Sequence, residues 1–119
     1  MSKQQDIEFF SGNDLELHCT VLDETGAIKD LTGALDVVWA LAKSEGAMPP
    51  ILSRDLAAGI VITAPTLGKF VVTLTSALTE PLAGKGKIYY HEARVTDSAG
   101  KKSTVIWGTV VVRGNSIVT

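Results

Sequence analysis

The stretch from Lys87 to Arg113, KIYYHEARVTDSAGKKSTVIWGTVVVR, constrains the fold of this chain more than any other. Two apolar-rich runs flank Asp97-Ser98-Ala99-Gly100, a cluster of small and short polar residues whose backbones accept tight turns, and so predict a long antiparallel hairpin. At roughly 3.3 Å per residue each arm reaches about 30 Å, the span of a small domain, so the residues before it must pack on or beside this ribbon. With 119 residues, one domain over 1–119 and a single core are expected.

Upstream, period-2 patterning recurs. Leu15, Leu17, Cys19 and Val21 share one face and Glu16, His18 and Thr20 the other, which is the signature of a half-buried strand. Asp23-Glu24-Thr25-Gly26 turns the chain. Leu35, Val37, Trp39 and Leu41 form a second alternating face; the opposite face is nearly as apolar, but the adjacent valines and the Trp favour strand over helix. Residues 44–50 (SEGAMPP) form a loop, Ile51 to Arg54 a brief edge strand, and Ile7 to Phe10 another. Gly59 to Thr63 and Gly68 to Thr75 pair as a hairpin interrupted by Pro65. Ser76 to Leu82 is the single helical turn expected, with Ser76 as its N-cap and Pro81 as its stop. About seven strands and one short helical turn between the fifth and sixth predict an all-β fold, an immunoglobulin-like antiparallel sandwich. Trp39 then falls on the third strand, where such folds often keep a core Trp, and Tyr89 at the place of a tyrosine corner.

Composition narrows the function classes. A net charge of −2 gives no basic footprint for a phosphate backbone, so nucleic acid is not an expected partner. Cys19 is the single cysteine, which excludes an internal disulfide and a cysteine-rich zinc site. Lys3 is followed by no apolar run, so no secretory signal is expected, and the longest uncharged stretch, Leu56 to Gly68, is too short to span a bilayer as a helix. No membrane association follows. Hydrophobic residues make up 45% of the chain, and mean hydropathy is +0.23, high for a domain of this size, which points to an interface.

No catalytic constellation appears. His18 and His91 have neither H-x-H nor H-E-x-x-H spacing, so no metal is expected. His18 belongs to the polar side of its strand, while His91, alternating with Tyr89, Ala93 and Val95, belongs in or near the core with hydrogen-bonded ring nitrogens. No G-x-S-x-G motif accompanies Ser76, Ser98 or Ser103, and Cys19 lies on an apolar face where burial makes a thiol inert. Gly84-Lys85-Gly86-Lys87 lacks the length of a phosphate loop and leads into a strand. Asp23, Glu24 and Asp30 match no calcium loop and read as solvated turn carboxylates. No enzyme and no cofactor are expected, and a small-molecule ligand is disfavoured.

The last strand is unusual. Val105, Trp107, Thr109 and Val111 alternate with Ile106, Gly108, Val110 and Val112, so whichever set packs on the core leaves a largely apolar set outside, where a two-layer sandwich should be polar. Either a loop or the N-terminal strand covers the outer set, or it is a subunit contact. The candidate interface is Ile106, Val110 and Val112, with Trp107 beside them.

Ser11-Gly12-Asn13-Asp14 before the first long strand, Asp30-Leu31-Thr32-Gly33-Ala34 before the next, the block from Gly59 to Leu74, and Tyr89 to Gly100 (YYHEARVTDSAG) leading to Ser103-Thr104 carry a resemblance over nearly the whole chain. In these features it resembles small Ig-like virion proteins of tailed phages and prophages, including the N-terminal domain of phage baseplate upper proteins. The resemblance implies a non-enzymatic structural or assembly module of a tail or baseplate, assembled in the bacterial host cytoplasm, with other virion proteins or further copies of itself as partners. It supplies no catalytic residue. The chain ends at Thr119, short of the fibre or receptor-binding extensions of longer relatives, so it implies no particular position in the virion. A second reading from the residues alone is a carbohydrate- or cell-surface-binding sandwich with Trp39, Trp107 or Tyr90 as a stacking platform.

Overall fold

The computed structural model describes residues 3–82 and 87–114, apart from the side chains at 3 and 87. Its strands are β1 (Lys3–Gln4), β2 (Ile7–Phe10), β3 (Leu15–Thr20), β4 (Asp36–Ala42), β5 (Leu52–Arg54), β6 (Ile60–Ala64), β7 (Lys69–Leu74), β8 (Lys87–Thr96) and β9 (Lys102–Arg113). The larger sheet runs β1-β9-β8-β4-β5, with β2 continuing β1 along the same edge of β9; the smaller runs β3-β7-β6. Together they make an immunoglobulin-like sandwich. Counting β1 and β2 as one interrupted strand gives eight among the described residues, the one beyond the expected seven being β5, the brief edge strand read over 51–54.

The expected hairpin is the backbone of the larger sheet. β8 and β9 pair antiparallel from Lys87↔Val112 to Thr96↔Lys102. At their turn, Gly100 takes φ 85°, a left-handed conformation that a side chain resists, and its N–H donates to the Asp97 carbonyl. The Asp97 carboxylate also accepts from the N–H groups of Ala99 and Lys101. Its short side chain therefore replaces the ladder where the chain reverses.

The phase of β9 differs from expectation. Ile106, Val110 and Val112 are 0% exposed. They pair with Ala93, Tyr89 and Lys87, and Ala93 and Tyr89 are themselves core residues. These three candidate interface residues are therefore interior, and only Trp107 of the candidate set reaches the surface, half-buried. A register irregularity opposite Ala93 and Arg94 leaves Val105 unpaired, so Val105 and Ile106 are both buried in succession. Alternation in sequence reveals two sets of side chains, but a one-residue shift exchanges their faces, and pairing with β8 makes the choice.

The core is built from inward positions of both sheets. Val37, Trp39 and Leu41 of β4 meet Phe70, Val72 and Leu74 of β7 within one cluster, all fully buried. Each such side chain contributes about 1.5–3 kcal/mol relative to its exposed state. Leu35, expected on the same face as Trp39, precedes β4 and is 63% exposed.

Among the described residues helix is confined to α1 (Ser76–Thr79) and a 3-10 turn over Pro65–Leu67. α1 carries the chain from β7 in the smaller sheet to β8 in the larger. Thr75 is its N-cap residue, and Ser76 occupies the first helical position. The Ser76 N–H is instead satisfied by the Asp14 carboxylate at 2.6 Å, and the Thr79 hydroxyl donates to the Asn13 carbonyl at 2.7 Å. The cap thus comes from a loop more than sixty residues upstream, which local capping patterns cannot register.

Candidate functional site: the outer face of the larger sheet

Strand alternation places one side chain in two on the outside of each sheet. On β4 the outward residues are Val38, Ala40 and Ala42, each at least half-buried. On β8 they are Ile88, Tyr90, Glu92 and Arg94, and on β9 Thr104, Trp107, Thr109 and Val111. Register sets the neighbours: Ala40 and Trp107 flank Glu92, Val38 and Thr104 flank Arg94, and Val111 lies opposite Ile88. Ile88 is 63% exposed. The result is an apolar surface with a Glu and an Arg at its middle.

The loop between β4 and β5 borders this surface. Gly46, Ala47, Met48 and Pro50, with Ala42 and Tyr90, enclose a shallow hollow of about 370 Å³ that reaches Glu92 and Arg94. Loss of solvation around Tyr90, with the nearby charges of Glu92 and Glu45, raises the phenol above its ordinary value, so it stays neutral near neutral pH. Among the described residues neither Glu92 nor Arg94 makes an ion pair; Glu92 accepts only a long bond from the Thr104 hydroxyl at 3.5 Å.

Behind this face lies a polar contact in the core. The Trp39 indole N–H donates to His91 Nδ1 at 3.0 Å, and His91 Nε2 lies 2.5 Å from the Gln5 carbonyl. An indole N–H can only donate and a carbonyl can only accept, so the ring is neutral, with its proton on Nε2. Burial pushes the His91 pKa down, partly opposed by the bond to Gln5 and the charge of Asp6. Gly108 makes the approach possible, because a Cβ there would fall 2.3 Å from the Gln5 oxygen. With Gln5 turned inward, the Asp6 carboxylate accepts from the Thr109 N–H, and that bond holds the acid below its usual range. β1 and β2 are thus two halves of one parallel ladder, interrupted where Gln5 serves the histidine.

His91 therefore lies in the core with both ring nitrogens bonded, as its alternation predicts. The Gln5 and Asp6 contacts were not foreseen; the available signal was Gly108 itself, since a glycine inside a strand often marks close approach of another backbone. His18 is exposed and lies 3.4 Å from Glu16, and Cys19 is buried. Trp39 is fully buried and offers no stacking surface. Asp23 and Asp30 each accept from a threonine two residues on, and these hydroxyl and amide bonds hold both acids below their ordinary range. Gly84-Lys85-Gly86 lies outside the described residues. Among the described residues no group of three His, Cys, Asp or Glu is arranged to hold a metal, and no helix is long and apolar enough to cross a membrane.

No family model and no curated protein sequence matches this chain. Among solved structures it is similar to murine CRIg, with 12% identity over 93% of this chain and 92% of that one and a TM-score of 0.46. It is also similar to the second Ig domain of the mouse polymeric immunoglobulin receptor, with 12% identity over 98% of this chain and 100% of that one and a TM-score of 0.47.

Proposed function

We propose that this chain is a non-catalytic structural or assembly module that acts by protein-protein contact through the outer face of its larger sheet. One observation carries the reading: the solvent side of β4, β8 and β9 presents Val38, Ala40, Tyr90, Trp107 and Val111 where a free-standing sandwich would present polar side chains. This keeps the expectation of an apolar outer face on the C-terminal hairpin while moving it to the opposite side of β9. The sequence resemblance to tailed-phage virion proteins supports a tail or baseplate as the setting.

A photo-crosslinking residue tests the reading when placed at Thr109, on this face, or at Thr73, on the outside of the smaller sheet, in cells that make the protein alongside its neighbouring genes. Crosslinks to protein from Thr109 and none from Thr73 are expected. No crosslink from Thr109, or equal yields from both positions, overturns the reading.

A second reading, carbohydrate or cell-surface binding, is favoured by the hollow beside Tyr90, which Glu92 and Arg94 also line. With Trp39 buried, Tyr90 and Trp107 are the available platforms. Glycan-array binding that disappears in Tyr90→Ala would support it, and an array without signal removes it.

A further inference from the structure

We infer that the occupant of this face is a second copy of the same chain, docked about a two-fold axis that passes between Glu92 and Arg94. The inference rests on the reading of the face as a protein contact and adds the identity of the partner.

Glu92 and Arg94 are successive outward residues of β8, the central strand of the larger sheet, and apolar or hydroxyl side chains surround them on β4 and β9. Neither makes an ion pair among the described residues. Covering either one with a purely apolar partner would strip its water and return nothing, which strongly disfavours association. The occupant must therefore present an acid and a base at the separation of neighbouring outward residues on a strand, roughly 7 Å.

The chain itself presents that pattern. A two-fold rotation sets Glu92 of one copy against Arg94 of the other and, by the same operation, Arg94 against Glu92, so a single contact is made twice. Packed sheets stand about 10 Å apart, a gap that an extended Arg and Glu can bridge together. The same operation sets Val38 of one copy against Ala40 of the other, and Trp107 against Thr104, around the charged centre. Five strands at about 4.8 Å spacing, ranging from the 3 residues of β5 to the 12 of β9, give roughly 600 Å² of flat area, and the 43–51 loop adds a rim; together they approach the ~800 Å² per partner of a stable complex. A net charge of −2 leaves little long-range repulsion between copies.

Sedimentation of the full chain tests this with charge reversals. Wild type is expected to dimerise as concentration rises. Glu92→Arg and Arg94→Glu each place like charges against each other twice, and each should weaken the dimer at least tenfold while leaving the circular dichroism spectrum unchanged. An equimolar mixture of the two variants restores both attractive contacts and should form a heterodimer, and the double variant E92R/R94E should again pair with itself. Wild type monomeric at the highest attainable concentration, single variants that remain dimeric, or a mixture without heterodimer would each overturn the inference. If Thr109 nevertheless crosslinks to a different protein, the assembly reading stands without it; if Thr109 crosslinks to nothing, both fall.

Discussion

The outsides of the two sheets follow the same alternation and arrive at opposite surfaces. On the smaller sheet, β3 and β7 turn Glu16, His18, Lys69 and Thr73 to water, leaving one cross-strand pair, Val61 and Val71, as a small apolar spot of the kind any soluble surface carries. On the larger sheet, β4 shows no charge on its outward side between Val38 and Ala42, and β9 contributes Trp107 and Val111. Both inward faces are equally greasy, so the difference is not one of core-building capacity. One face is finished as a solvent boundary, and the other is largely apolar with Glu92 and Arg94 set in it.

The sharpest way to break this contrast is to compare the two sides of β9. Ile106→Ala, on the inward side, should cost about 2–5 kcal/mol in urea unfolding, because Ile106 is fully enclosed and its loss leaves a cavity. Val111→Ala, one face over, should cost under ~1 kcal/mol, since its environment is already half-open. Equal losses would mean that both faces are core and that the outer one is covered.

Next in size is an effect on association with little effect on stability. Val38→Lys should weaken self-association at least tenfold by sedimentation and move the unfolding midpoint only slightly, whereas Val71→Lys on the smaller sheet should leave association unchanged. A matching loss from Val71→Lys would show that the smaller sheet is an interface as well.

The buried histidine beneath the larger sheet predicts a pH dependence. Its folded-state pKa is depressed, so the unfolded chain takes up the proton first as pH falls. The contribution is therefore complete above the unfolded value near 6.5 and is lost as pH drops below it, at no more than about 1.4 kcal/mol per pH unit for one proton. Protonation would also set an Nδ1–H against the Trp39 indole N–H, two donors with no acceptor. Urea midpoints between pH 7.5 and 5 should fall in wild type and flatten in His91→Gln; equal slopes would remove His91 as the cause. The smallest effect is expected at the rim, where the Glu8 carboxylate and Arg113 guanidinium meet at 3.0 Å, each side chain about half exposed. Arg113→Ala should leave the melting temperature within measurement error, because water and salt screen such a pair.

How far these features were legible depends on the range of the interaction that makes them. The C-terminal hairpin was legible because its turn residues and alternation lie within one stretch, and the β6-β7 pair was legible for the same reason. The interior place of His91 and the exposure of His18 also followed from local alternation, whereas the expectation of a core Trp39 came from its place on the third strand of such a sandwich. The cap of α1 was not, since Asp14 supplies it from the start of the neighbouring strand β3, 62 residues away in sequence. Nor was the bond from His91 to Gln5, which needs the N-terminal strand beside β9 and the notch at Gly108.

What the sequence determined by itself is the class of object: period-2 patterns, turn residues at short intervals and a single helical break admit a two-layer β sandwich and little else. It also determined that one more apolar face exists than two layers require. Only the tertiary structure decided which face that is, placing Ile106, Val110 and Val112 inside and leaving Trp107 and Val111 on the outside. The physical reason is that a strand's two sides are related by a shift of one residue. A lone strand with both sides apolar has no preference between them; the preference appears only when hydrogen-bond register with β8 ties one side to Tyr89, His91 and Ala93 and the second sheet closes over it.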